Sequence, residues 1–263
     1  MESLAGMKNK ERSWKTACAA ILCAVSLAGA LARAAQAQGE TDAAKRGAEI
    51  LSEAVAAAGG EALKKVKSLE LKTTGSVQAP TGPMEVIVKV QVVFPDKSRV
   101  EVDLGTAVIT SGFDGKAGWL VTPQGTIDMP ADLNSEAQRG IDLTGGVGLH
   151  KKILSGKTEA KFGGEKEVAG QKTWLVEWSG PSGNVRLYFD VATKMLVAAK
   201  YRSTTMAGEF EEERRLSDFR EVEGIKFPYR WMTYRDGTLF SDQTVTEVKV
   251  NATVDAAAFA RPQ

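Results

Sequence analysis

The sequence predicts a mainly β protein with helices (α+β): one large curved antiparallel sheet or incomplete β-barrel, with an N-terminal helix and a helical insertion. Three observations carry this. From residue 68 onward the chain alternates apolar and polar residues in long runs, the period of strands with one buried face. A stretch of helical spacing comes before those runs, and a single long segment, residues 131–155, breaks them. The runs are long and mostly one-sided, which suits antiparallel pairing.

The first residues are read as a secretory signal peptide, residues 1–37, removed after export. Lys8, Lys10, Arg12 and Lys15 form a basic start, and Met7 opens a more conventional one than Met1. An apolar run from Ala17 to Ala32 follows, and Ala35 and Ala37 supply the small residues of a cleavage site. The run is too short for a membrane span with polar flanks, so no transmembrane segment is expected in the mature chain. Both cysteines, Cys18 and Cys23, fall in the lost part, and neither has the leucine three positions upstream that marks lipidation. Residues 38–263 are then a single domain without a disulfide, long enough to bury a sizeable core. The periplasm is the expected compartment.

Five of the 34 Lys/Arg and two of the 33 Asp/Glu lie before residue 38, leaving the mature chain at a net of −2. Without a basic block, nucleic acid is excluded as a partner.

Residues 41–58 carry Ala44, Ala48, Leu51 and Val55 at helical spacing, with Thr41 as a cap and Gly59-Gly60 as the stop. Residues 61–67 read as a short second helix. Then the period becomes two. Val86, Val88, Val90 and Val92 share one face, and Val100, Val102 and Leu104 repeat the pattern. Further runs lie at Leu69–Lys72, Trp174–Trp178, Val185–Phe189, Met195–Tyr201, Ile225–Thr233 and Thr244–Val250. Turn residues such as Asp114-Gly115 and Asp236-Gly237 punctuate them. Around Asp114-Gly115, Phe113 and Trp119 flank a hairpin as interior or rim aromatics.

The insertion carries Leu133, Ala137 and Ile141 behind Asp132 as a cap, then Gly145, Gly146 and Gly148 before Leu149. The concave face of a curved sheet is the natural place for it. With its glycines as hinges it can act as a lid over a cavity mouth, or it can be a helix packed permanently on the sheet.

Catalytic constellations are missing. His150 is the single histidine, so two-histidine zinc sites and HExxH-type motifs are excluded, and no GxSxG elbow, GxGxxG or phosphate loop is present. Beside Lys151 and Lys152, His150 is expected on a solvent-facing helix surface. The run Glu211-Glu212-Glu213-Arg214-Arg215 contains an acid–base pair in principle, but reads better as a solvated strand edge. No cofactor, no metal and no enzyme activity are expected. What remains is a surplus of one-sided apolar surface, which points to an apolar cavity. Its candidate lining is Trp119, Trp174, Trp178, Phe227 and Trp231 from the strands, with Leu133, Ile141 and Leu149 from the insertion.

The segments GGEALKKVKSLELKTTG, FPDKSRVEV, FDGKAGW, LYFDVATKMLVAA and DFREVEGIKFPYRW come in an order that resembles exported bacterial proteins of the outer-membrane lipoprotein-sorting (LolA/LolB-like) superfamily. The resemblance implies an incomplete antiparallel barrel with helices over an apolar cavity. It also implies a non-catalytic periplasmic carrier or sensor of a hydrophobic ligand, its partner a lipid or acylated protein. The alternative is a protein-interaction module of the cell envelope, working with an envelope partner beside an insulinase-like zinc peptidase.

Overall fold

The computed structural model describes residues 36–156, 159–180, 182–206 and 208–262. Most of the expected signal peptide, both cysteines included, lies outside them. The chain divides into a unit up to Lys45 and a unit from Arg46 onward. Helix α1 covers residues 36–57, so it begins earlier than the Thr41 cap expected from sequence. Thr41 sits inside the helix, where its hydroxyl donates back to the Ala37 carbonyl at 2.9 Å.

In the second unit, α2 (Glu61–Lys65) follows the Gly59-Gly60 stop. Six strands come next: β1 (Ser68–Ala79), β2 (Gly82–Val93), β3 (Lys97–Asp103), β4 (Val108–Phe113), β5 (Gly118–Thr122) and β6 (Gly125–Asp128). The insertion supplies α3 (Ala131–Leu143), a 3-10 turn (Thr144–Gly146) and α4 (Val147–Leu154). Then come β7 (Glu159–Val168), β8 (Gln171–Gly180), β9 (Gly183–Asp190), β10 (Leu196–Thr205), β11 (Gly208–Val222), β12 (Ile225–Arg235) and β13 (Thr238–Val250). A 3-10 turn, Ala256–Phe259, follows β13. Asp132 is not the cap of α3. Pro130 holds that position, and Asp132 lies in the first turn, where its charge suits the helix dipole.

All thirteen strands form one antiparallel sheet in the order β6-β5-β4-β3-β2-β1-β13-β12-β11-β10-β9-β8-β7. Every step joins chain neighbours except β1–β13, which pairs Leu69 with Val250 and makes the two ends of the strand region meet mid-sheet. Since β6 and β7 are both free edges, the sheet is open, as an incomplete barrel and not a closed one.

The sheet is also strongly curved, and α3 shows why. Gln138 donates to the carbonyl of Pro95 in the β2–β3 turn, and the next residue, Arg139, donates to the carbonyl of Arg202 in β10. Those strands lie five or six steps apart, about 25–29 Å along a flat sheet at the usual strand spacing. Two adjacent side chains cannot span that distance. The sheet must bend around the helix.

One apolar cluster joins Ile50, Leu51 and Ala54 of α1 and Leu149 of α4 to Val176, Trp178, Leu187 and Phe189 on β8 and β9. A second joins Val55, Leu63 and Val147 to Leu69, Phe227 and Val245. Between them the helices fill the trough along β8–β13 and β1. A much smaller cluster, Val92, Phe113 and Ile141, lies under α3 on the other wing, and there the filling is incomplete.

The insertion is a wedge more than a flap. Every residue from Ile141 to His150 is buried. Gly145 has φ +54°, and a Cβ there would stand 2.2 Å from the Phe227 ring. A Cβ on Gly148 would stand 2.3 Å from the Ile141 carbonyl oxygen. These glycines permit close packing, so they are not the hinges that their sequence suggests. Asp142, fully buried, accepts from Gln138, from the Ser182 hydroxyl and from Lys152, tying α3 to α4 and to the β8–β9 turn.

Candidate functional site

A cavity of about 430 Å³ lies between the exposed first turns of α3 and the inner face of β2–β5, within the range usual for small-molecule sites. Alternation places its walls. Residues Val90, Val92, Val100, Ser111, Phe113 and Leu120 are cross-strand partners or same-face neighbours, so their side chains point the same way. From above, Leu133, Glu136, Ala137 and Ile141 recur at helical spacing on α3. Thr204, Met206, Arg214 and Trp231 close the far side. Met206 is 68% exposed, so the cavity opens there, at the β10–β11 turn.

Of the eight residues expected to line a cavity, the structure brings Leu133, Ile141 and Trp231 to this one. Trp178, Phe227 and Leu149 are buried in the packed core beneath α1 and α4. Trp174 is half-buried on the same wing, with Lys194 and Arg46 stacked on its ring at 3.9 and 4.7 Å. Trp119 faces the other side of the sheet, because Leu120 next to it points into the cavity. Its indole donates to the carbonyl of Phe259 at 2.9 Å and pins the C-terminal turn. Phe113 does reach the cavity, so the two aromatics of the Asp114-Gly115 hairpin serve opposite faces.

The polar end of the cavity corrects a second expectation. Glu211-Glu212-Glu213 is not a solvated edge, because β11 lies between β10 and β12. Phe210, Glu212, Arg214 and Leu216 alternate inward, which carries a carboxylate and a guanidinium to the concave face. Glu212 is 5% exposed and accepts from the Tyr201 hydroxyl at 2.5 Å and from Arg214 at 3.1 Å; Arg235 approaches to 3.6 Å. Burial raises the Glu212 pKa, but Arg214, the Tyr201 hydrogen bond and Arg235 together outweigh it and leave the carboxyl below its ordinary value. Burial, with the neighbouring carboxylates, pushes the Tyr201 hydroxyl well above its ordinary value, so it stays protonated and donates. Glu136 on α3 bonds Arg139, the Ser203 hydroxyl and the Thr204 amide. The signal for this cluster was present in the sequence, as two charges at spacing two within an apolar strand face.

His150 is a third correction. It is 3% exposed, its ring stands beside Gly146, and its Nε2 has no hydrogen-bond partner among the described residues. Desolvation lowers its pKa to about 4, so it is neutral at physiological pH. On α4 the Lys151 ammonium donates to the Leu63 carbonyl and Lys152 donates to Asp142, while His150 is buried. Among the described residues no three His, Cys, Asp or Glu are grouped to hold a metal ion. Nor is any helix among them long and apolar enough to cross a membrane.

An open, curved antiparallel sheet wrapped around helices, with an apolar cavity left beneath one of them, defines a class of cavity-bearing folds. No protein-family model matches the chain, and no curated protein matches it. Solved structures do. An outer membrane lipoprotein-sorting protein domain from Vibrio parahaemolyticus superposes with a TM-score of 0.54 at 10% identity, covering 82% of this chain and 97% of its own. A DUF1329 family protein from Desulfovibrio piger gives 0.56 at 11% identity, with coverages of 83% and 97%. A LolA superfamily protein from Nitrosomonas europaea gives 0.50 at 16% identity, with coverages of 78% and 98%. The resemblance seen in the sequence holds at the level of the fold.

Proposed function

We propose that this protein is a non-catalytic carrier or sensor of a hydrophobic ligand, a lipid or lipoprotein acyl chain, exported to the periplasm through cleavage of residues 1–37 and working as one domain from residue 38. The observation that carries the reading is the cavity beneath α3. It has an apolar inner wall of Val92, Phe113 and Ile141 and one open side at Met206. The fold shared with an outer membrane lipoprotein-sorting protein domain supports it. The remaining large aromatics support it indirectly: they complete the core elsewhere, so the space under α3 is not a general looseness of packing. Of the eight expected ligand contacts, Leu133, Ile141 and Trp231 are the ones assigned to the site.

Native mass spectrometry of protein purified gently from cells, with displacement of an environment-sensitive fluorescent fatty acid, tests this. Co-purifying lipid or saturable displacement is the expected result. Apo protein that binds no probe would favour an envelope protein-interaction module instead.

A further inference from the structure

The cavity is not apolar throughout, and its asymmetry says what kind of molecule it fits. Val92, Phe113 and Ile141 at one wall are buried side chains with no polar group to offer. At the opposite, open side stand Thr204, Glu136 and Arg214, with Met206 exposed beyond them.

The charges at that side do not balance. Among the described residues the inward cluster holds three guanidiniums, Arg139, Arg214 and Arg235, against two carboxylates, Glu136 and Glu212. Glu136 is ion-paired with Arg139 and also favours the Arg214 charge from nearby, while Glu212 is shared between Arg214 and Arg235. One positive charge is left over, partly shielded from water, where an uncompensated charge is costly.

Arg214 is the member that faces the cavity. Among the described residues its side chain makes one hydrogen bond, to Glu212, although a guanidinium presents five donors in a planar fork suited to carboxylate and phosphate. Arg235 is held apart from the cavity. It lies over the Phe240 and Phe210 rings at 3.5 and 5.2 Å, and its buried Nε lacks a hydrogen-bond partner among the described residues. Arg235 can therefore take over more of Glu212 when Arg214 turns to a ligand.

We infer that the cavity takes an amphiphile with one anionic head group, a carboxylate or a phosphate, held by Arg214 at the open side while its tail lies against Val92, Phe113 and Ile141. This rests on the carrier reading and specifies its cargo. Neutral lipids of the same chain length fill the same apolar wall and leave the extra guanidinium charge unmatched.

The test compares palmitate, its methyl ester and a lysophosphatidate of the same chain by displacement of a fluorescent probe, all below micelle-forming concentration. Wild type is expected to bind palmitate or the lysophosphatidate at least tenfold tighter than the ester; whichever acid binds better identifies the head group. Arg214→Gln brings the acids down to the level of the ester, and Arg214→Lys, which keeps the charge, retains part of the preference. Equal binding of ester and acids to wild type overturns the inference and leaves the carrier reading standing. So does a preference that survives in a folded Arg214→Gln. Binding of none of the three ligands overturns the carrier reading and this inference together.

Discussion

Acid should destabilise this protein through His150 as pH falls below about 6.5. Burial of the side chain, whose Nε2 has no hydrogen-bond partner among the described residues, lowers its folded pKa to about 4. In the unfolded chain the imidazole titrates near its ordinary value of 6.5. Between those two values the unfolded state binds a proton that the folded state refuses. Stability is therefore complete above about pH 6.5 and falls as pH drops toward about 4. Integrating the difference from pH 7 to pH 5 gives a loss of about 2 kcal/mol. For a domain of this size that is a fall in Tm of roughly 4–8 °C. Glu212 acts in the same direction but in a lower window. Its folded pKa is depressed, so its contribution is present above the ordinary carboxylate range and is lost only as pH falls below it. Urea denaturation of untagged protein at pH 7 and pH 5, with His150→Leu beside wild type, isolates the histidine. Wild type should lose about 2 kcal/mol and the variant almost none of it. Because the chain has a single histidine, its ring proton resonance also reports the folded pKa directly. A resonance titrating near 6.5, or equal losses in both proteins, would refute the reasoning.

Other expectations follow from the packing. Trp178→Ala should cost ~3–5 kcal/mol, as large-to-small core changes do, yet leave probe binding at the cavity unchanged, because Trp178 lies under α1 and α4; calorimetry and probe titration check both. Gly148→Ala should lower stability by ~1–3 kcal/mol, since its Cβ meets the Ile141 carbonyl and backbone must shift; the denaturation midpoint reports it. Hydrogen exchange should be slow from Ile141 to Leu149 in all states, but faster in the first turns of α3 and slowed there by a bound fatty acid. Uniform protection of α3 with and without ligand would count against entry beneath it. Trp119→Phe removes the bond to Phe259 and should cost about 1 kcal/mol, with earlier proteolysis of the C-terminal turn as the readout.

The amino-acid sequence by itself determined most of the elements and which residues share a face, although β6 and β7 fall outside its alternating runs. Period-two runs marked the valines of β2 as one buried row, and Val90 and Val92 do line the cavity wall. The loss of that period located α3 and α4, and Asp114-Gly115 located the β4–β5 hairpin. Both signals are local, since side-chain direction along a strand or helix depends only on residues a few positions apart. Partnership is not local. Nothing near Leu69 indicates that it pairs with Val250, and without that pairing β11 cannot be known as an interior strand or Glu212 as buried. The same limit hid His150, whose neighbouring lysines suggest water while the fold leaves it 3% exposed. Trp119 and Phe113 look equivalent in the sequence, and only the curvature of the sheet separates the cavity face from the face covered by Phe259. Alternation says which residues share a side. Which side is concave, what fills it and where the filling stops depend on how thirteen strands bend around four helical segments, and that is decided by packing between residues far apart in the chain.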